Sequence, residues 1–498
     1  MKYTNPIIPG FYPDPSICAA DGTYYMVTSS FHYFPGVPLF ESTDLINWSQ
    51  IGHVLTRESQ LPLQNAKPSE GIFAPTLRWH NGRFYMVTTN VSCGGNFYVY
   101  TDDIYGEWSD PIYVEQDGID PSFYFEGEQC YFMSNGTDDA GVSGIVQCEI
   151  DIATGKKLSP SKCIWQGTGG RFLEGPHLYK WNGTYYLLAS EGGTEYGHML
   201  VYAKGSSPFG PFWSYPGNPV LTNRNRGGYA LQGCGHGDII RDANGSFWMV
   251  HLAFRQIDTW AMHHITGREV CLVPLTFKDD GWFTAGNCGM TDLITETDRL
   301  PDSLVQNKLP VYTFDNTKPG LEWLYLRHPD QTKYTFSNGE VLLRPGTDSL
   351  DCIVGNPTWL GIRQQEMSFT LSCDICPSDE ESGISVYMGP DQHYEIGIQK
   401  KNGKYELFRS LHVGDLIIKD HELLLPDNRV TVKICGEPLR YYFSAECGRN
   451  TYDLGSAQTR LLSSEIAGNF TGVFLALYAQ HAGADSDGAR FSNFRLEY

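Results

Sequence analysis

One short phrase recurs five times in this chain and limits its fold more than any other feature. A turn pair, or its relic, leads into an aromatic, β-prone run. The five are Asp21-Gly-Thr-Tyr-Tyr-Met-Val27, Asn81-Gly-Arg-Phe-Tyr-Met-Val87, Gly127-Glu-Gln-Cys-Tyr-Phe-Met133, Asn182-Gly-Thr-Tyr-Tyr-Leu-Leu188 and Asn244-Gly-Ser-Phe-Trp-Met-Val250. Asp-Gly and Asn-Gly favour two-residue hairpin turns, and aromatic residues suit a pleated, half-buried surface. Helical periodicity is nearly absent. Five all-β units in a row predict radial repetition, and so a five-bladed β-propeller. Three units end on a tryptophan, Trp48, Trp108 and Trp213. These read as structural rings packed between blades.

The informative positions lie seven or eight residues before each turn. They are Asp14-Pro-Ser16, Ala74-Pro-Thr76, Asp120-Pro-Ser122, Glu174-Gly-Pro176 and His236-Gly-Asp238. The innermost strands of a propeller line its central channel, so equivalent positions converge there. Three carboxylates and a histidine are thereby expected to meet.

After about residue 300 the aromatic repeat stops. Leu300-Pro-Asp-Ser-Leu-Val-Gln-Asn-Lys-Leu-Pro310 reads as a linker. Beyond it, Met367-Ser-Phe-Thr-Leu-Ser-Cys-Asp-Ile375 alternates apolar and polar residues, as do the stretches around Ile384, Val386 and Met388 and around Tyr394, Ile396 and Ile398. Period two with one buried face predicts an antiparallel β-sandwich. The chain therefore reads as two all-β domains, a propeller over residues 1–300 and a sandwich over 311–498.

Thirty-six Lys and Arg against 57 Asp and Glu give a net charge of −21. That balance argues against nucleic-acid binding, which draws on basic residues. No apolar run is long enough to span a membrane. The 13 cysteines are scattered and odd in number. With no signal-like start, they read as reduced thiols in a cytoplasmic protein. The one C-x-x-C, Cys373 to Cys376, lies in a strand pattern that turns its two thiols to opposite faces.

Two carboxyl groups across a sugar-sized gap are the minimum equipment for hydrolysing a glycosidic bond, and one of them must stay protonated near neutral pH. Asp14, Asp120 and Glu174 offer such a set. Each alone reads as a turn or loop residue; three in one register of one repeat do not. Arg268 is placed to orient a carboxylate or bond sugar hydroxyls. His236 is a channel histidine, with plugging the channel as its structural alternative. Sugar faces stack on aromatic rings, which singles out Phe31 and Phe73, with core packing as the other reading of each.

These residues resemble glycoside hydrolase family 43. The likeness rests on Asn5-Pro6, Gly10-Phe-Tyr-Pro-Asp-Pro-Ser16, Phe31-His-Tyr-Phe-Pro-Gly-Val37, Gly71-Ile-Phe-Ala-Pro75, Asp120-Pro-Ser-Phe123 and Glu174-Gly-Pro-His-Leu-Tyr179. It is nearest to the β-xylosidases and α-L-arabinofuranosidases with a C-terminal, concanavalin-like β-sandwich. The resemblance implies an exo-acting, inverting hydrolase that removes terminal β-D-xylose or α-L-arabinofuranose from xylan-derived oligosaccharides. Arabinofuranose from arabinoxylan or arabinan side chains is the alternative substrate. A non-catalytic glycan-binding propeller is the alternative outside enzymes.

In that family Asp14 matches the general base and Glu174 the general acid. Asp120 matches the carboxylate that raises the acid's pKa and orients it. Arg268 matches the arginine that contacts the sugar and a catalytic carboxylate, and His236 matches the channel histidine; with the stacking candidates Phe31 and Phe73 they make the expected substrate-binding set. Phe73 stands where many members carry Trp. The likeness implies no required cofactor; a structural calcium ion in the channel, held by His236 through waters, is the metal expectation. The partner expected is a small oligosaccharide, with no nucleic acid or membrane, and homo-oligomerisation left open. In related xylosidases the sandwich closes the pocket, and the loop Gln480–Gly488 is the segment expected to do so here.

Overall fold

The computed structural model describes residues 1–314, 317–482 and 486–498. Each repeated phrase forms the second strand of a four-stranded antiparallel sheet: Thr23–Val27, Arg83–Asn90, Gln129–Thr137, Thr184–Glu191 and Phe247–Arg255. Asp21, Asn81 and Asn182 sit at φ 50°, and the glycine after each also has positive φ. Two successive positive-φ residues are what a tight type I′ hairpin demands, which is why the pair recurs.

Ahead of each turn lies an inner strand: Ser16–Ala20, Thr76–His80, Ile119–Glu126, Glu174–Trp181 and Leu231–Arg241. Each inner strand touches the next, and the fifth touches the first, so the five sheets close into a ring. The chain start fastens that closure. Lys2–Thr4 pairs with Ile294–Glu296 beyond the fifth sheet, and the Asn5 amide bonds both the N–H and the carbonyl of Leu272.

Both faces of each sheet are covered by neighbours, so apolar side chains fill the gaps between sheets as five separate clusters. That explains why the strands read as near-continuous aromatic runs without alternation. Of the unit-ending tryptophans, Trp108 is buried and Trp48 partly so, but Trp213 is 58% exposed. Trp213 sits in the middle of a short outer strand, Phe212–Ser214, with no further strand of its sheet beyond it.

The C-terminal part is two antiparallel sheets, of eight and six strands, around one apolar core. Phe369–Cys376 alternates as expected, with Cys373 inside and Cys376 facing the other way. Glu381–Gly389 departs from alternation, since every residue in it is buried. The cause is docking on the ring. Trp359, Tyr387, Phe474 and Tyr478, from the outer face of the six-stranded sheet, pack against Phe11, Phe31 and Tyr33. Arg363 joins the two parts, donating to the Phe11 carbonyl at 2.7 Å and lying over the Tyr12 ring. No helix among the described residues is long and apolar enough to cross a membrane.

Candidate active site

The residues that enter the inner strands are aimed by local backbone. Asp14, Asp120 and His236 adopt left-handed φ of 56°, 56° and 41°. Strand pairing slips beside Asp120 and His236. Such bulges re-aim a side chain, here toward the hub, and non-glycine residues hold them only where the surroundings compel it. In the fourth sheet Gly175 takes this conformation, with φ 62°, and a Cβ there would come within 3.0 Å of the His236 ring. Glu174 therefore stands one residue earlier than Asp14 and Asp120. The serine of the Asp-Pro-Ser phrase has its own task. Ser16 Oγ donates to Asp238 and Ser122 Oγ to the Pro176 carbonyl, tying neighbouring sheets.

All four hub residues meet. The His236 ring lies between two carboxylates, Nδ1 being 3.9 Å from Asp14 Oδ1 and 3.8 Å from Asp120 Oδ2. Asp14 Oδ1 accepts from Arg268 at 2.9 Å and Oδ2 from Ser29 Oγ at 2.5 Å. Burial alone would raise the Asp14 pKa, but the positive Arg268, then His236 and the Ser29 hydrogen bond outweigh it and hold Asp14 below the usual range. Glu174, 4.0 Å from His198 Nε2, is pushed up to about 7 by burial and then by the charge of Asp14, against Arg268. Asp120 also reaches about 7. Burial is the largest cause; Glu174 and Asp14 add to it and His236 opposes it. Asp120 Oδ2 accepts from the Gly175 N–H at 3.1 Å, which braces the residue next to Glu174.

Phe31 and Phe73 form one aromatic wall, their centroids 5.2 Å apart. Gly71 permits it, because a Cβ there would strike the Phe31 carbonyl at 2.3 Å. A further part of the rim comes from the sandwich. The segment around Ser464–Ala467 reaches back to the ring. Glu465 accepts from His264 Nδ1 at 2.7 Å and Tyr196 OH at 3.1 Å, and Val473 N–H donates to the Ile265 carbonyl. This brings the Phe470 carbonyl to Arg268 at 3.1 Å and the Phe470 ring beside Phe31, with Arg268 lying near both rings.

Phe470, Ser29 and His198 were not foreseen. Nothing periodic marks Phe470, which lies in another domain from the carboxylates. Of the loop expected to close the pocket, 483–485 lie outside the described residues; Gln480 and His481 line a separate recess. The closing contact described is Phe470's. Phe470→Ala should raise KM by on the order of 2- to 10-fold, the worth of one aromatic contact, with kcat little changed. Initial rates on a nitrophenyl glycoside check this; a fall in kcat alone would contradict it.

Below the pocket, Asp238 accepts from Arg78 at 2.7 and 3.2 Å, from Ser16 and from Tyr179 OH, while Arg78 also meets His177 Nδ1. Calcium takes six to eight oxygens. Asp238 is committed to Arg78, Asp14 to Arg268 and Ser29, and one oxygen of Asp120 to the Gly175 N–H, so these three carboxyl groups are already engaged beside the His236 imidazole. These residues do not form a direct calcium set. An ion there would rest on His236 through waters.

One carboxyl held ionised and another poised to stay protonated, in one buried hollow, can act as base and acid. Comparison with known proteins agrees with that chemistry. Residues 3–283 match the model of glycosyl hydrolases family 43, and residues 311–497 match the beta xylosidase C-terminal concanavalin A-like domain. The non-reducing end α-L-arabinofuranosidase BoGH43B of Bacteroides ovatus is 34% identical over 503 residues, covering 99% of this chain and 94% of that protein. A xylosidase/arabinosidase of Butyrivibrio fibrisolvens is 35% identical over 525 residues, covering 99% of each. Among solved structures, Bacteroides ovatus xyloglucan PUL GH43B superposes with a TM-score of 0.93 at 33% identity, covering 100% of both chains.

Proposed function

We propose that this chain, which belongs to glycosyl hydrolases family 43, is an exo-acting, inverting glycosidase that releases terminal β-D-xylose or α-L-arabinofuranose from xylan-derived oligosaccharides. Its five sheets are read as the blades of a propeller over residues 1–300, and 311–498 as the sandwich. The observation that carries the reading is the opposed tuning of Asp14 and Glu174 inside one hollow. In the reaction, Asp14 takes a proton from water as the water oxygen bonds the anomeric carbon. The bond to the leaving oxygen breaks on the opposite face, and that oxygen receives the Glu174 proton. Asp120 orients Glu174 through the Gly175 amide. Arg268 keeps Asp14 ionised and in place, and Phe31 and Phe73 supply the surface on which a sugar face stacks. Action on chain ends is supported by how deeply the site residues are buried. Asp14, Asp120, Phe31 and Arg268 are all more than nine-tenths buried, and Phe470 covers the rim. The two relatives bear the names of both pentose activities, and arabinofuranose from arabinoxylan or arabinan remains the alternative substrate. A cytoplasmic location belongs to the same proposal, supported by thirteen unpaired cysteines.

The test compares nitrophenyl β-D-xylopyranoside with nitrophenyl α-L-arabinofuranoside and follows the first anomer released by NMR. Turnover of at least one with inversion is expected; a retained anomer refutes the role of Asp14. The same assay gives the pH profile on an unactivated disaccharide. The base works ionised, so rate is lost as pH falls through the Asp14 pKa, below the ordinary Asp value of about 3.9. The acid works protonated, so rate is lost as pH rises through about 7. An alkaline limb at the ordinary Glu value would count against Glu174.

A further inference from the structure

We infer that the sandwich carries a divalent-metal site of the zinc class, separate from the hub, formed by Asp351, His393, His412 and Glu395. His393 and His412 are direct cross-strand partners on Gln392–Lys401 and Lys404–Val413, and Glu395 follows two residues after His393, on the same face. Asp351 arrives from the loop that precedes Thr358–Arg363. Ligand atoms of Asp351, His393 and His412 lie within 4.8 Å of one another.

Proton bookkeeping points to a cation. His393 Nδ1 bonds the Gly389 carbonyl at 3.0 Å, and a carbonyl only accepts, so that nitrogen holds the ring proton. The neutral ring then turns a lone pair, on Nε2, toward Asp351 Oδ1 and Glu395 Oε1, each 3.6 Å away and beyond hydrogen-bond reach. His393 is 2% exposed, so bulk water does not relieve that opposition. His412 is held differently. Its Nε2 donates to the Gly414 carbonyl at 3.0 Å, and its Nδ1 lies within hydrogen-bond distance of Asp351 Oδ1, at 2.7 Å, so a cation, either a proton on Nδ1 or a metal ion, must stand between those two atoms. As a neutral ligand each ring would donate its one N–H to a backbone carbonyl, the outer contact that fixes a metal-binding imidazole.

The charge balance agrees. Glu381 and Glu395 are buried in the same recess of about 130 Å³, into which Asp351 also faces. Lys419 stands beside them, 3.8 Å from Glu381. Among the described residues lining this largely buried recess, three carboxyl groups face one lysine ammonium and the imidazoles, a surplus of acidic groups that a divalent cation would offset. Two imidazoles with carboxylate oxygens suit zinc, and resemble no calcium set. The ion would pin the Asp351 loop to the sheet. Next to Asp351, Leu350 packs in the aromatic cluster that contains Phe31, so the clip would brace the sandwich where it backs the pocket wall.

The test uses the full chain, stripped with a chelator and titrated with Zn(II) or Co(II). One equivalent is expected. The Co(II) form should show visible d–d bands without thiolate charge transfer, which excludes the exposed cysteines. Asp351→Ala, at a half-exposed side chain that folding tolerates, and His412→Gln should each weaken binding by on the order of 1000-fold, more than the roughly 10- to 100-fold that loss of an outer contact costs. His236→Ala, at the hub, should bind as the parent does. Zn(II) should raise the melting midpoint of the parent and not of Asp351→Ala. Unchanged binding in both variants overturns the proposal. So does the absence of binding with His412 found by NMR as an imidazolium paired to Asp351.

Discussion

Glu174→Gln should slow hydrolysis of an unactivated xylo-oligosaccharide by ~10²- to 10⁴-fold, the worth of a general acid. The loss should shrink to a small factor on a dinitrophenyl glycoside. The contrast follows from what the proton does. A sugar alkoxide is a poor leaving group and departs only as it is protonated, whereas a dinitrophenolate leaves unaided. Glu174 can hold that proton at neutral pH because burial and the charge of Asp14 push its pKa up to about 7. Gln keeps the shape and hydrogen-bonding reach of the side chain, so the change isolates the proton. Equal losses on both substrates would assign Glu174 to binding or folding.

Asp14→Asn should cost ~10²- to 10⁴-fold as well, but on activated and unactivated substrates alike. Water must lose its proton whatever the leaving group is. The variant also removes the charge that raises Glu174, so the alkaline limb of its residual activity should move to lower pH. The Asn amide oxygen can still accept from Arg268, and its NH2 can donate to the Ser29 Oγ, so both contacts that hold Asp14 persist with one reversed, which makes misfolding a poor explanation of the loss. A leaving-group dependence like that of Glu174→Gln would exchange the two roles and overturn the reading.

Much of the hub could be read from the chain, because the repeat places Asp14, Asp120, Glu174 and His236 at one register and the turn pairs fix where each inner strand begins. The register is exact only to a residue. Glu174 stands one place earlier than the two aspartates, since Gly175 takes the left-handed position under His236, and no turn pair reports that. Trp213 was read with Trp48 and Trp108 from its motif alone; it is exposed because its short strand lies at the outer edge of its sheet. Phe470 was invisible for a different reason. It belongs to a part of the chain with another period, and it matters only because the sandwich docks on the ring.

Local chemistry thus determined the elements: Asn-Gly and Asp-Gly force turns, aromatic runs form strands, and alternation after residue 300 gives a sheet with one face inside. These are short-range effects, so a sequence displays them. What the tertiary structure decided was electrostatic. Whether a carboxyl is held ionised like Asp14 or protonated like Glu174 depends on how fully it is buried and on which charges lie a few ångströms away. Those neighbours, Arg268 and His236 above all, stand more than two hundred residues from Asp14 along the chain.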